Sequence, residues 1–189
     1  MAEACRTYKH KLSNFLEYTK FNAGLLESVH EPVNIRQLLG RVVEDHEPFT
    51  EENDISIVLT ISPDIPIRII SDEFRIAQVV ANLVMNAIQF SPEGGRIGVC
   101  AELRDFNTLG LVVEDDGEGM NANQVKSVFK SSPEQRPSLK NPAGLGLLVT
   151  QLLVREVLGG EIVLSSEPGH GTRCAVSLPF SHVLTGEKL

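Results

Sequence analysis

The spacing of hydrophobic positions changes several times along the chain. Over about residues 9–26, Leu12, Phe15, Leu16, Phe21, Leu25 and Leu26 recur every three to five residues, apart from the adjacent pairs. That broad stripe predicts a helix able to dock on the rest of the chain or on a second copy. Pro32 then breaks "SVHEPVN". "NIRQLLGRVVEDHEPF" returns to helical spacing, with Ile35, Leu38, Leu39, Val42 and Val43 on one face and Asn34 placed to cap it. In "ISIVLTI" the period drops to two, so Ile55, Ile57, Leu59 and Ile61 share one face of a strand. "SPDIP" reads as a turn and "IRII" as a short strand. A long helix follows to about Phe90, opened by "SDEF", where Ser71 or Asp72 can cap and acidic side chains fill the first turn.

Past "SPEGG" the pattern favours strands. "RIGVCAEL" and "LGLVVED" read as a pair joined by "RDFNT". "NANQVKSVF" fits a short helix, and "KSSPEQRPSLKNPAG" is a polar loop rich in proline and serine. "LGLLVTQLLVREVLGG" predicts a helix stopped at Gly159-Gly160. "EIVLSSE", "PGHG" and "TRCAVSLP" make a closing hairpin, and "FSHVLTGEKL" a loose tail. About four helices and five or six strands, without internal repeat, predict an α+β fold. Its form is a two-layer α/β sandwich: a mixed sheet with helices on one face, preceded by a short helical segment.

Composition narrows the class. The 189 residues suffice for one domain and an appendage, and 42% hydrophobic content supports a core. No apolar run is long enough to span a bilayer, and "MAEACRTYKHKL" lacks a signal-peptide core. A start that reads as mid-helix suggests a piece of a longer chain. Cys5, Cys100 and Cys174 are odd in number and far apart, which argues against a disulfide framework or a zinc site and for a reducing compartment. A formal charge of −8 disfavours nucleic acid as partner. It leaves room for an anionic ligand, whose site is built from local donors.

Three short patterns carry candidate chemistry. In the long helix, Ile76, Val80, Leu83, Val84, Ala87 and Ile88 face inward, while Gln78, Asn82, Asn86 and Gln89 line an adjacent strip. Solvated surface would explain one such asparagine. Two at i, i+4 invite a reason, since asparagine is a mediocre helix former. An amide oxygen is also a hard, neutral ligand suited to Mg²⁺. The second pattern, "EDDGEGM", follows a strand directly: Asp115 at the strand end could accept from an exocyclic amine, and Gly117 and Gly119 allow close backbone approach. A tight acidic turn is the plainer alternative. In the third, Gly144-Leu145-Gly146 follows a loop and opens a helix, where free amides attract phosphate. A simple glycine hinge fits equally. It is neither a Walker loop nor a dinucleotide fingerprint, since no Gly-Lys-Ser/Thr or GxGxxG occurs there.

In their order, these patterns resemble the GHKL ATPases, and most closely the catalytic ATP-binding domain of sensor histidine kinases in two-component systems. "DEFRIAQVVANLVMNAIQFSPEGG" looks like the asparagine box and "VVEDDGEGM" like the first glycine box. "SVFKSS", with Phe129, looks like a reduced phenylalanine box. "GLGLLVTQLLVREVLGGEIVLSSEPGHGTRCAVSLP" looks like the second glycine box and closing hairpin. The resemblance covers roughly residues 31–179, and "LSNFLEYTKFNAGLLE" resembles the end of the helical dimerisation domain. It implies a Bergerat-type fold in which residues 1–28 are a remnant of that helical domain and its linker, 29–181 the catalytic domain and 182–189 the tail.

The resemblance further implies ATP and Mg²⁺ as ligands. Asn86 would hold the metal and Asn82 would face the phosphates or a metal-bound water. Asp115 would take the adenine amino group, with Gly117 and Gly119 passing the base and Phe90 touching base or ribose. Gly144, Leu145 and Gly146 would meet the phosphates, and Thr172 would support the water network near adenine. Residues 130–143 would form a lid carrying Arg136 and Lys140 as cations for the terminal phosphate. The implied partners are a phospho-accepting helical domain and a response-regulator receiver, with a possible homodimer through upstream helices. The implied location is cytoplasmic with no direct membrane contact in this segment, whether or not the parent is membrane-anchored.

The sequence departs from that family pattern in places. His10 is followed by Lys11 where the family's phospho-accepting histidine has an acidic neighbour, and His30, His46, His170 and His182 lie in the wrong context for that box. The chain alone is therefore expected to bind ATP without phosphorylating itself. Gln89 stands where the family often has lysine, and Pro142-Ala143 precede Gly144 where a further glycine is usual. Hence a second reading: a degenerate module that binds nucleotide weakly or not at all and serves regulation or docking. A hydrolytic ATPase of chaperone or mismatch-repair type ranks below both, because no glutamate lies between Phe74 and Phe90. A serine-directed protein-kinase relative is a further, minor alternative.

Overall fold

A computed structural model of the chain describes residues 2–128 and 145–183, with side chains from residue 12 onward. Phe129, Arg136, Lys140 and Gly144, the expected lid, and the side chain of His10 therefore lie outside the described residues. The elements follow in the order α1 (Ala2–Asn22), β1 (Glu31–Val33), α2 (Ile35–Glu52), β2 (Ser56–Ile61), β3 (Ile69–Ser71), α3 (Glu73–Phe90), β4 (Arg96–Asp105) and β5 (Thr108–Asp115). Next come α4 (Ala122–Val128), α5 (Leu145–Leu152) with a π-helical turn at Leu153–Val157, β6 (Glu161–Ser166), β7 (Thr172–Pro179) and β8 (Ser181–His182).

The main sheet has the order β2-β4-β5-β7-β6; β2 and β4 run parallel and all other pairs antiparallel. A small antiparallel sheet, β1-β3-β8, sits beside it. Alternation decides which sheet face is buried. Ile97, Val99 and Ala101 of β4, Leu109, Leu111 and Val113 of β5, and Cys174, Val176 and Leu178 of β7 enter the core, where α2, α3 and α5 cover them. This is the mixed, two-layer arrangement that the periodicity predicts.

Local signals explain the helix starts. Asn34 accepts from the Gln37 amide at the head of α2, and Asp72 accepts from the Arg75 amide at the head of α3. The expected inward residues of α3 are all buried, joined by Val79. Three local expectations differ. Helix α2 continues through Pro48 to Glu52, because tertiary burial of Thr50 and the packing of Phe49 outweigh the missing N–H. The last helix widens into a π turn closed by Leu158 N–H to Leu153 C=O at 2.9 Å, and Gly159, at φ +65°, ends it. The tail begins later than expected: Phe180 is buried, and Ser181 and His182 form β8 against β3.

Helix α1 lies on the sandwich, mainly against α5, with Phe15 and Tyr18 packed on the core. Among the described residues, no helix is long and apolar enough to cross a membrane.

Candidate functional site

A cavity of about 760 Å³ opens between the second half of α3, the ends of β5 and β7, α4 and the start of α5. Asn86, Phe90, Asp115, Gly119, Leu145, Gly146 and Thr172 line it. These come from four separate elements and one loop, brought together because β5 and β7 are neighbours and α3 and α5 both cover them.

Asp115 closes β5 and faces inward by the same alternation that buries Val113. Its Oδ1 accepts two backbone N–H groups, from Gly117 at 2.9 Å and from Thr172 at 3.2 Å. Oδ2 accepts no hydrogen bond among the described residues, so the fold fixes one oxygen only. Burial pushes the carboxyl above its ordinary pKa; the two amides pull the other way, and the charges of Asp116 and Glu114 add a smaller push upward. Beside it, burial drives the Cys174 thiol up to about 12, with the Asp115 charge adding to the shift. Cys174, on the cavity wall, is thus a neutral packing group.

The glycines serve backbone contact. A Cβ on Gly117 would stand 2.5 Å from the Phe90 carbonyl oxygen, and one on Gly119, at φ +66°, would overlap the Glu167 carbonyl. Gly117 does not line the cavity. Gly171, which motif reading missed, is as constrained: at φ +76° its Cβ would overlap the Asp115 carbonyl. Ser166, also missed, ties the same turn together. It accepts from the Met120 amide at 2.8 Å, donates to the Gly171 carbonyl at 2.7 Å and meets the Thr172 hydroxyl at 3.0 Å. The Met120 contact joins residues 46 apart, so no local pattern could have shown it.

The two asparagines of α3 part company. Asn86 is half-buried and lines the cavity; a Cβ on Gly146 would lie 3.4 Å from its Oδ1. Asn82 is only 1% exposed and off the cavity wall, so the expected polar strip is not a surface strip there. Packing from neighbouring elements covers that turn, which a single-helix wheel cannot show. The Nδ2 atoms of both are buried without a partner among the described residues. Such orphans are rare in a finished core and mark an arrangement completed by water or ligand. Leu145 contributes an apolar wall and is 2% exposed, anchored in the core. Asn14 of α1, Phe49 of α2, Asn53 at its C-cap, and Met120 and Gln124 also line the cavity, and none was singled out in the sequence.

Three of the described histidines are engaged elsewhere. His46 Nδ1 lies 2.7 Å from the Val42 carbonyl, His170 Nδ1 3.2 Å from that of Pro168, and His182 Nε2 2.8 Å from that of Phe106.

Comparison with known proteins gives this geometry its context. Residues 71–182 match the family described as histidine kinase-, DNA gyrase B- and HSP90-like ATPases. The sensor protein GacS of Pseudomonas syringae pv. syringae is 31% identical over 173 residues, 88% of this chain and 19% of its own length. The signal transduction histidine-protein kinase BarA of Escherichia coli strain K12 is 31% identical over 170 residues, 85% of this chain and 18% of its own. The chain thus spans about a fifth of the curated relatives it matches. Among solved structures, full-length ShkA in complex with AMPPNP superposes with a TM-score of 0.79 at 27% identity, covering 92% of this chain and 36% of that one. With Asp115, Asn86 and Gly146 lining one cavity, this chain belongs to the histidine kinase-, DNA gyrase B- and HSP90-like ATPase family.

Proposed function

We propose that the cavity binds Mg²⁺-ATP and that, within a longer sensor kinase, this domain presents the γ-phosphate to a histidine outside this chain. The observation that carries the reading is the split role of Asp115, with Oδ1 held by two backbone amides and Oδ2 open to an exocyclic amine. Phe90 and Met120 line the walls for a flat base, and Thr172 supports waters around it. At the other end, Gly146 beside Asn86 lets phosphate oxygens approach the α5 terminus closely.

The residues fit the metal as well. No group of three or more His, Cys, Asp or Glu is placed to hold an ion among the described residues. A single amide oxygen at Asn86 suits a cation that keeps most of its waters and takes its remaining ligands from phosphates. Bound there, Mg²⁺ would supply neutralisation of phosphate charge. Asn82, one turn back and buried, would position Asn86 without touching the nucleotide. Arg136, Lys140 and Gly144 complete the proposed phosphate contacts. Phosphoryl transfer asks mainly for this positioning, so ADP would leave as the acceptor nitrogen takes the phosphoryl group. The partners proposed are a phospho-accepting helical domain, a response-regulator receiver and a second copy through upstream helices.

Calorimetric titration with a non-hydrolysable ATP analogue, with and without Mg²⁺, tests the reading. Mg²⁺-dependent binding in the micromolar range is the expected result. A folded protein that ignores millimolar analogue would overturn it.

A further inference from the structure

Helix α1 contributes to the cavity as well as packing on the fold. Asn14 is 4% exposed yet lines the cavity wall. A Cβ on Gly146 would lie 3.7 Å from Asn14 Nδ2 and 3.4 Å from Asn86 Oδ1, so both amides border one small volume at the head of α5. One turn along α1, Glu17 Oε2 accepts from Arg75 Nη1 at 2.6 Å, with both side chains almost fully buried. Lys20 Nζ donates to Glu17 Oε1 at 3.0 Å, and Arg75 Nη1 also donates to Gln78 Oε1 at 3.1 Å. Arg75 and Asn86 are on the same helix, α3.

A buried ion pair is a poor source of net stability but fixes geometry well, because each charge has one acceptable position. Here it sets the register of α1 against the helix that carries the proposed metal ligand. A neutral amide at position 14 is suited to an anionic ligand, which it meets without bringing a competing charge.

We propose that Asn14 is a further phosphate-end contact of the nucleotide site and that the Glu17–Arg75 pair holds it in place. Nucleotide occupancy and docking of α1 are then coupled. This rests on the reading of the cavity as a nucleotide site. Because Asn14 reaches the ligand only from a docked α1, the coupling is reciprocal: nucleotide tightens α1, and a loosened α1 weakens nucleotide.

The test titrates the full chain and its Asn14→Ala and Glu17→Gln variants with AMPPNP and with adenosine, and follows hydrogen exchange of the α1 amides with and without AMPPNP. Asn14→Ala is expected to weaken AMPPNP about tenfold and leave adenosine unchanged. Glu17→Gln is expected to speed α1 exchange and weaken AMPPNP as well. AMPPNP should slow α1 exchange in the native chain. Native binding of AMPPNP with unaltered affinity in Asn14→Ala overturns this proposal alone. So does equal weakening of AMPPNP and adenosine, which would mark a purely structural role. Failure of the native chain to bind AMPPNP overturns the nucleotide reading together with it.

Discussion

Asp115 and Thr172 face each other across β5 and β7, and the Thr172 amide holds one oxygen of the Asp115 carboxylate at 3.2 Å. With the Gly117 amide on the same oxygen, the carboxylate cannot rotate, and the free oxygen keeps a fixed direction. The arrangement needs three things the chain supplies separately. These are an acid at the last position of a strand, a glycine two residues on, and a turn before β7 in which Gly171 meets the Asp115 carbonyl. Burial raises the carboxyl's pKa, since a buried carboxylate gives up hydration that the two amides only partly replace.

Asp115→Asn separates the two roles. The amide oxygen can still accept from Gly117 and Thr172, which puts an NH₂ group where a ligand amine would come. Affinity for an adenine nucleotide should drop at least tenfold, about 1.4 kcal/mol, while the fold persists. The pH dependence has a definite sign. A raised native pKa means the native state holds the proton longer, so this group erodes stability as pH rises from about 3.9 through the raised native value. Urea midpoints of the native chain should therefore fall relative to Asp115→Asn over that rise, then run parallel. A native chain that gains on the variant as pH rises would contradict the burial argument.

The turn before β7 offers a paired experiment on space against backbone angle. Gly169 and Gly171 have nearly the same positive φ, +77° and +76°, but a Cβ on Gly169 meets nothing within 4 Å while one on Gly171 overlaps the Asp115 carbonyl. Gly169→Ala should cost about 1–2 kcal/mol, the left-handed penalty alone. Gly171→Ala should cost more than that and also weaken nucleotide binding, since it displaces the strand end that carries Asp115. Urea unfolding and calorimetry check both; equal costs would show that the turn yields easily.

Much of this was legible in the sequence because the signals were local. Asn34 and Asp72 cap the helices they precede, and the apolar face of α3 follows from its period. The alternation of β4 and β5 set which residues enter the core. What the sequence hid depends on distant segments meeting. Asn82 is buried because neighbouring elements close over its turn, Ser166 matters through its bond from Met120, 46 residues away, and Gly171 through its approach to the Asp115 carbonyl. Glu17 and Arg75 pair across 58 residues, so helical periodicity gave each a polar place and no partner.

That pair predicts a non-additive mutational cycle. With side chains only 6% and 10% exposed, loss of Glu17 leaves Arg75 without a charged partner, and loss of Arg75 leaves Glu17 with the exposed Lys20 alone. Glu17→Ala or Arg75→Ala alone should destabilise the chain by about 3–5 kcal/mol. The double variant should cost clearly less than the sum of the two, because neither charge remains buried alone. Urea midpoints of the four proteins give the coupling. Additive losses would mean that water reaches the pair and each charge is already solvated.

Asn86→Ala tests the metal end without disturbing the adenine end. Alanine is the better helix former, and Asn86 is half-buried at the cavity edge, so α3 should keep its shape. The variant also removes an Nδ2 that has no partner among the described residues, so its cost to stability should be small. On the proposed reading Mg²⁺ should tighten an ATP analogue in the native chain, because the Asn86 oxygen would share the ion with the phosphates. In Asn86→Ala the affinities measured in EDTA and in Mg²⁺ should converge, with adenosine binding unchanged. If Mg²⁺ still tightens the analogue in that variant, the ion is held by another group, and the buried amide of Asn82 becomes the first alternative.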